Sequence, residues 1–160
     1  MPTQTQALEN QDHPTRAAEL LVAAAFSAAG WDIFLPQFDK GIDFIAGKLL
    51  SAGYLLRPVQ VRGKYPEAEG LDHKTYGVRG ALTVVHPSLV LAIPFFSPRP
   101  HALVCTAYLP LAKIGATTEN GLTTFTALVA KLEGRRPKPR QEFVGYFDAA
   151  GLALIEDPNA

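Results

Sequence analysis

Along the first third of the chain the period of the apolar positions changes from helical to extended. Residues 15–29, TRAAELLVAAAFSAA, are rich in alanine and leucine and end at Gly30, which predicts a helix with a glycine stop. Its apolar residues run almost all the way round, so the helix is expected to be central and well covered. Glu19 interrupts that pattern. At helical spacing it shares a face with Val22, Ala23 and Phe26, so a carboxylate sits on or beside a face that otherwise reads as buried. Residues 31–35, 41–47 and 54–63 follow as short runs rich in Ile, Val, Phe and Tyr, separated by turn-prone residues, and predict three strands in an antiparallel meander. The link at Ser51, Ala52 and Gly53 is short. A hairpin centred there places Asp43 opposite Gln60, give or take a residue.

The remainder alternates between apolar runs and breakers. Residues 64–80 are polar and turn-rich and read as a loop, with a short strand around 75–78. Residues 89–96 and 102–109 are strand-like and flank Ser97-Pro98-Arg99-Pro100, which suits a second hairpin or two neighbouring strands. A helix is expected over 122–132; the segment EGRRPKPRQ then breaks regularity with two prolines and gathers positive charge. Residues 143–147 read as a late strand, and the pattern from Asp148 onward is weak. A chain of 160 residues with 48% hydrophobic content fits one domain with an ordinary core. The polar residues 1–12 read as a flexible leader to a single domain over 13–160.

The run Val59-Gln60-Val61-Arg62-Gly63-Lys64 alternates, so on a strand Gln60, Arg62 and Lys64 point to one face and Val59 and Val61 to the other. Opposite lies Gly41-Ile42-Asp43-Phe44-Ile45, with one carboxylate amid apolar residues. An unpartnered charge there is costly, so a cation or a metal is expected beside Asp43. A cross-hairpin ion pair with Arg62 or Lys64 accounts for the same residues without any metal. Alternation alone is equally met by the solvent face of an edge strand.

Glu19 on an opening helix, the Gly41-Ile42-Asp43 strand and the Val59 to Lys64 strand together resemble the PD-(D/E)XK nuclease superfamily. Within it the chain looks closest to small bacterial domains related to Holliday-junction resolvases and restriction endonucleases. The resemblance covers about residues 15–110. It implies a restriction-endonuclease-like α/β core, a central mixed sheet flanked by helices, and a Mg²⁺- or Mn²⁺-dependent endonuclease acting on DNA. The resemblance assigns Glu19, Asp43 and Gln60 to the metal and Asp43, Gln60, Arg62 and Lys64 to catalysis. Two positions depart from the family pattern. Gln60 stands where many members have Glu, and Arg62 occupies the motif's lysine position; arginine clamps phosphate but replaces a tunable amine poorly. Lys64, two residues on and on the same face, is the candidate substitute. The alternative reading is a nuclease-like domain without catalysis that serves as a DNA-binding or assembly module.

Charge changes this picture in one respect. Lysine plus arginine equals aspartate plus glutamate at 15 each, so no overall cationic field announces a nucleic-acid binder. DNA contact is therefore expected from local groups: Arg62 and Lys64, and the cluster Arg135, Arg136, Lys138 and Arg140 beside Lys131, which also reads as a solvated connector. Cys105 in HALVCTAYL reads as a small core residue of a cytoplasmic protein. The apolar stretch 20–29 is too short to span a membrane. His13, His73, His86 and His101 are scattered and predict no zinc site. No nucleophile turn, P-loop or dinucleotide fingerprint occurs. The resolvase-like relatives act as symmetric dimers, and the apolar run 89–96 suits either an interface or the core.

Overall fold

The computed structural model describes residues 4–38, 41–65, 86–98, 101–114, 129–133 and 136–160, with side chains described from residue 15 to 114 within those spans and from 137 onward. Helix α1 (Gln4–Ala28) begins well before the expected 15–29 and takes in most of the polar leader. It ends as the sequence predicts. Gly30 has φ of 83°, its N–H donates to Ser27, and Trp31 N–H reaches back to the Phe26 carbonyl at 3.1 Å, a Schellman closure in which a side chain on residue 30 would be strained. The helix is one-sided. Ala18, Val22 and Phe26 are buried while Leu20 and Leu21 are exposed, because α1 packs on one face of the sheet and is not enclosed as its all-round apolar pattern predicts.

Strands β1 (Asp32–Phe34), β2 (Phe44–Leu50), β3 (Gly53–Val61), β4 (Val90–Phe96) and β5 (Leu103–Pro110) form one mixed sheet in that order. The β1–β2, β2–β3 and β4–β5 pairs are antiparallel, and β3–β4 is parallel. The expected meander and second hairpin are thus present, with β2 shifted three residues later than predicted.

Two cores follow from the alternation of β3 to β5. On the α1 face Val59, Val61, Val90, Ala92 and Tyr108 meet Val22, Phe26 and Trp31. Phe26 makes edge-to-face contacts with Trp31, Phe44 and Tyr108 at centroid separations of 5.6, 5.4 and 5.4 Å. On the other face Leu91, Ile93, Phe95, Cys105, Ala107 and Leu109 pack with Phe143 and Phe147. Every residue of β4 is buried and both its edges are paired, so this strand is core within one chain and not an intermolecular surface. Cys105 is likewise a core residue.

The C-terminal part corrects two expectations. Residues 129–132, expected at the end of a helix, lie in β6 (Val129–Glu133), which pairs antiparallel with β7 (Arg136–Pro139). A two-stranded ribbon tolerates Pro137 and Pro139 because an edge strand leaves one row of N–H groups without ladder partners. Residues 143–147 are not a strand: Gln141–Tyr146 is a 3₁₀ segment, and Phe147 alone bridges Ala107. The weakly patterned tail forms α2 (Asp148–Leu154). Asp148 adopts φ of 52°, and its Oδ1 accepts the Thr106 N–H at 2.9 Å, covering the outer edge of β5.

From the tail, Leu152 and Ile155 enter the α1-side core. Arg57 fastens it there. Buried to 1% exposure, it donates from Nε to the Ile155 carbonyl at 3.1 Å and from its two Nη atoms to the carbonyls of Asp157 and Ala160. Lys48 adds an ion pair to Glu156 and a bond to the Ala29 carbonyl at 3.0 Å. The loop strand expected at 75–78 lies outside the described residues, and among those described no helix is long and apolar enough to cross a membrane.

Candidate functional site

Asp43 stands one residue ahead of β2, just after Gly41, whose φ of 89° turns the chain toward the sheet. Its N–H donates to the Val59 carbonyl at 2.9 Å, and its Oδ2 accepts the Val61 N–H at 2.5 Å. These two contacts bracket Gln60. Regular β2–β3 pairing stops at Phe44 opposite Val59. Beyond that point the carboxylate takes the place of a strand carbonyl for Val61, in the charge-assisted class of hydrogen bond. The register, in which Leu50 pairs with Gly53, extends by one residue to set Asp43 across from Gln60, as the Ser51 to Gly53 turn predicts.

Glu19 reaches the same place from α1. Its side chain is 15% exposed and accepts from Arg16 Nη1 at 2.8 Å, one helical turn earlier. Glu19 and Asp43 line one pocket of about 180 Å³ together with Arg16, Leu35, Pro36 and Ile42. Two carboxylates far apart in sequence, one from a helix and one from a sheet entrance, therefore share a cavity. Sequence reasoning passes over Arg16, although its i,i+3 spacing from Glu19 carries the signal.

Gln60, Arg62 and Lys64 follow along β3 and its continuation. The parallel β3–β4 ladder continues past Val61: Arg62 N–H donates to Ala92 at 2.9 Å, Lys64 N–H to Pro94 at 2.8 Å, and Phe96 N–H to Lys64 at 2.9 Å. Lys64 is in register with Phe95, and Gln60 with Leu91. Gln60, Arg62 and Lys64 thus share the face of Leu91 and Phe95, while Val59 and Val61 face α1, as alternation predicts. They are not the solvent face of an edge strand, because β3 is flanked by β2 and β4 and Gln60 is only 6% exposed. Gln60, Arg62 and Lys64 do not line the Glu19–Asp43 pocket.

Burial, and secondarily the positive charge of Arg62, push the Lys64 ammonium below the ordinary lysine range.

The basic segment divides. Arg135 lies outside the described residues, and Arg136 opens β7 with its side chain outside them. Lys138 and Arg140 line a separate depression of about 520 Å³ with Pro139, Gln141, Glu142 and Val144, sharing no residue with the carboxylate pocket. His86 and His101 serve local turns: His86 Nδ1 accepts the Ser88 N–H at 3.1 Å, and His101 Nδ1 lies 3.0 Å from the Ser97 carbonyl.

Among the described residues no three His, Cys, Asp or Glu side chains gather as a metal centre. The donor set of the pocket is the pair Glu19 and Asp43. Its chemistry suits Mg²⁺, which is commonly held by one or two carboxylates with waters and phosphate oxygens completing the octahedron. Comparison with known proteins finds no match for this chain among family models, curated proteins or solved structures.

Proposed function

We propose that this chain is a Mg²⁺- or Mn²⁺-dependent DNA phosphodiesterase of the endonuclease type, built on a restriction-endonuclease-like version of the mixed α/β fold. The observation that carries the reading is the shared pocket of Glu19 and Asp43, placed where Asp43 grips β3 on either side of Gln60. In this reading Glu19 and Asp43 hold the ion, and Gln60 orients the strand entrance from across the register. Arg62 pairs with phosphate oxygens as a fixed fork. Lys64, on the same β3 face as Arg62 and outside the Glu19–Asp43 pocket, adds a second positive group for the DNA backbone. The ion, when bound, supplies charge neutralisation at the phosphate and a more acidic water.

The test is nicking of supercoiled, branched and single-stranded DNA with Mg²⁺ or Mn²⁺. Cutting is expected to depend on the metal, to be lost in Asp43→Ala, and to rise in Arg62→Lys. A specific observation favours a second reading, a non-catalytic DNA-binding or assembly module: Asp43 Oδ2 already serves Val61, a structural role that needs no metal. Retention of DNA binding without any cutting by the unmodified protein is the outcome that selects this module over the enzyme.

A further inference from the structure

Arg16 shares the pocket wall with both carboxylates and is bonded to Glu19, yet its own side chain is 56% exposed. A guanidinium in that position faces two ligands in succession. Before an ion arrives it is the counter-charge of Glu19; once Glu19 turns to a divalent cation, Arg16 is left at the mouth of a pocket that now admits phosphate. An i,i+3 pair whose arginine is 56% exposed is among the weaker ion pairs, because water screens the guanidinium and both side chains lose rotamer freedom to make it. A divalent cation at the Glu19 carboxylate competes directly with it. Arginine is also the side chain whose planar fork matches phosphate oxygens.

We infer that Arg16 is a phosphate-pairing residue of this site, held in reserve by Glu19 and released when a divalent cation takes the Glu19–Asp43 pair. The inference rests on the metal-dependent reading above and adds to it an order of events: cation first, nucleic-acid phosphate second. It also sets two opposing consequences of one side chain. Arg16 weakens cation binding, because it competes for Glu19 and adds positive charge to the pocket, and it strengthens phosphate binding afterwards.

The experiment measures Mn²⁺ affinity, by titration calorimetry and by the spin-resonance signal of free Mn²⁺. It compares the unmodified protein with Arg16→Ala, Arg16→Lys and Asp43→Ala, then measures affinity for a short duplex DNA in Ca²⁺, which supports binding without turnover. Arg16→Ala is expected to bind Mn²⁺ about fivefold more tightly, the size of the repulsion between a single positive charge and a divalent cation roughly 8 Å apart in a watery site. It is expected to bind DNA more weakly, with the salt dependence reduced by about one phosphate contact. Arg16→Lys should restore the Mn²⁺ affinity of the unmodified protein. Arg16 is more than half exposed, so its replacement leaves the fold intact, and matching thermal midpoints check this for all three variants.

If the unmodified protein binds Mn²⁺ through Asp43 but Arg16→Ala binds it no more tightly, the reserve role falls and the metal reading stands. If Mn²⁺ binding tightens but DNA affinity and its salt slope are unchanged, the phosphate role falls. If neither the unmodified protein nor Arg16→Ala binds Mn²⁺, the metal reading and this inference fall together. Binding by Arg16→Ala alone supports the inference in its strongest form, with Arg16 closing the site.

Discussion

At the scale of single residues, Lys64 is the group whose chemistry the surrounding structure alters most usefully. Its ammonium is disfavoured first by burial and second by Arg62. An NMR titration of the Lys64 side chain should therefore show a midpoint below the ordinary lysine range. Arg62→Gln should raise that midpoint only part of the way back, because burial remains. The same shift has a consequence for stability whose sign is fixed by linkage. The folded-state midpoint is depressed, so the cost of burying the cation is fully present below it. That cost disappears as pH rises from the folded midpoint to the unfolded value near about 10.4. Lys64→Met should thus be the more stable protein at neutral pH, with its advantage over the unmodified chain shrinking through that window; denaturant midpoints across pH test it. A constant difference would mean that Lys64 titrates alike in the folded and unfolded chains, with no depression of its midpoint.

At the scale of elements, what was legible in the sequence was what local physics decides. Gly30 announced the end of α1 because only a residue at ease with positive φ closes that helix, and Ser51 to Gly53 fixed the β2–β3 register and through it the approach of Asp43 to Gln60. The α2 helix was not legible. Its sequence DAAGLAL has a glycine in the middle, and its start at Asp148 needs a positive φ held by Thr106, a partner 42 residues away. Gly151 is there for tertiary reasons. A Cβ at that position would lie 2.2 Å from the Tyr146 carbonyl oxygen and 3.1 Å from the Tyr108 ring. Gly→Ala inside a helix ordinarily stabilises, by roughly 0.5–1 kcal/mol. Here Gly151→Ala is expected to destabilise by about 1–3 kcal/mol, because backbone on the other side of the contact has little room to move. Equilibrium unfolding in urea measures the sign directly, and a stabilised variant would mean that α2 is not seated against Tyr146.

At the scale of the whole molecule, the candidate site and the tail make contrasting demands on β3. Near its end, β3 is gripped by Asp43 at Val59 and Val61; nearer its middle, Arg57 reaches the tail at Ile155, Asp157 and Ala160, about a hundred residues further along the chain. The first attachment could be read from the hairpin, whereas the second could not, since an arginine on an alternating strand gives no sign that it will be buried under backbone carbonyls. That burial is tolerated because the guanidinium's N–H groups find acceptors; the carbonyls in turn lose their partner if it is removed. Arg57→Met keeps much of the volume and removes the donors. It is therefore expected to cost about 1–3 kcal/mol per carbonyl left dry, and less where water reaches the outer acceptors at Asp157 and Ala160. Hydrogen exchange should quicken in residues 148–157 well before it does in β2 and β3, whose own ladder is untouched. Mn²⁺ affinity, if it resides with Glu19 and Asp43, should stay unchanged in the same variant, because the pocket of the two carboxylates is lined by residues of α1 and of the segment before β2, and by neither Arg57 nor the tail. A loss of Mn²⁺ binding alongside the faster exchange would mean that docking of the tail, and not α1 and the β2 entrance alone, sets the geometry of the pocket.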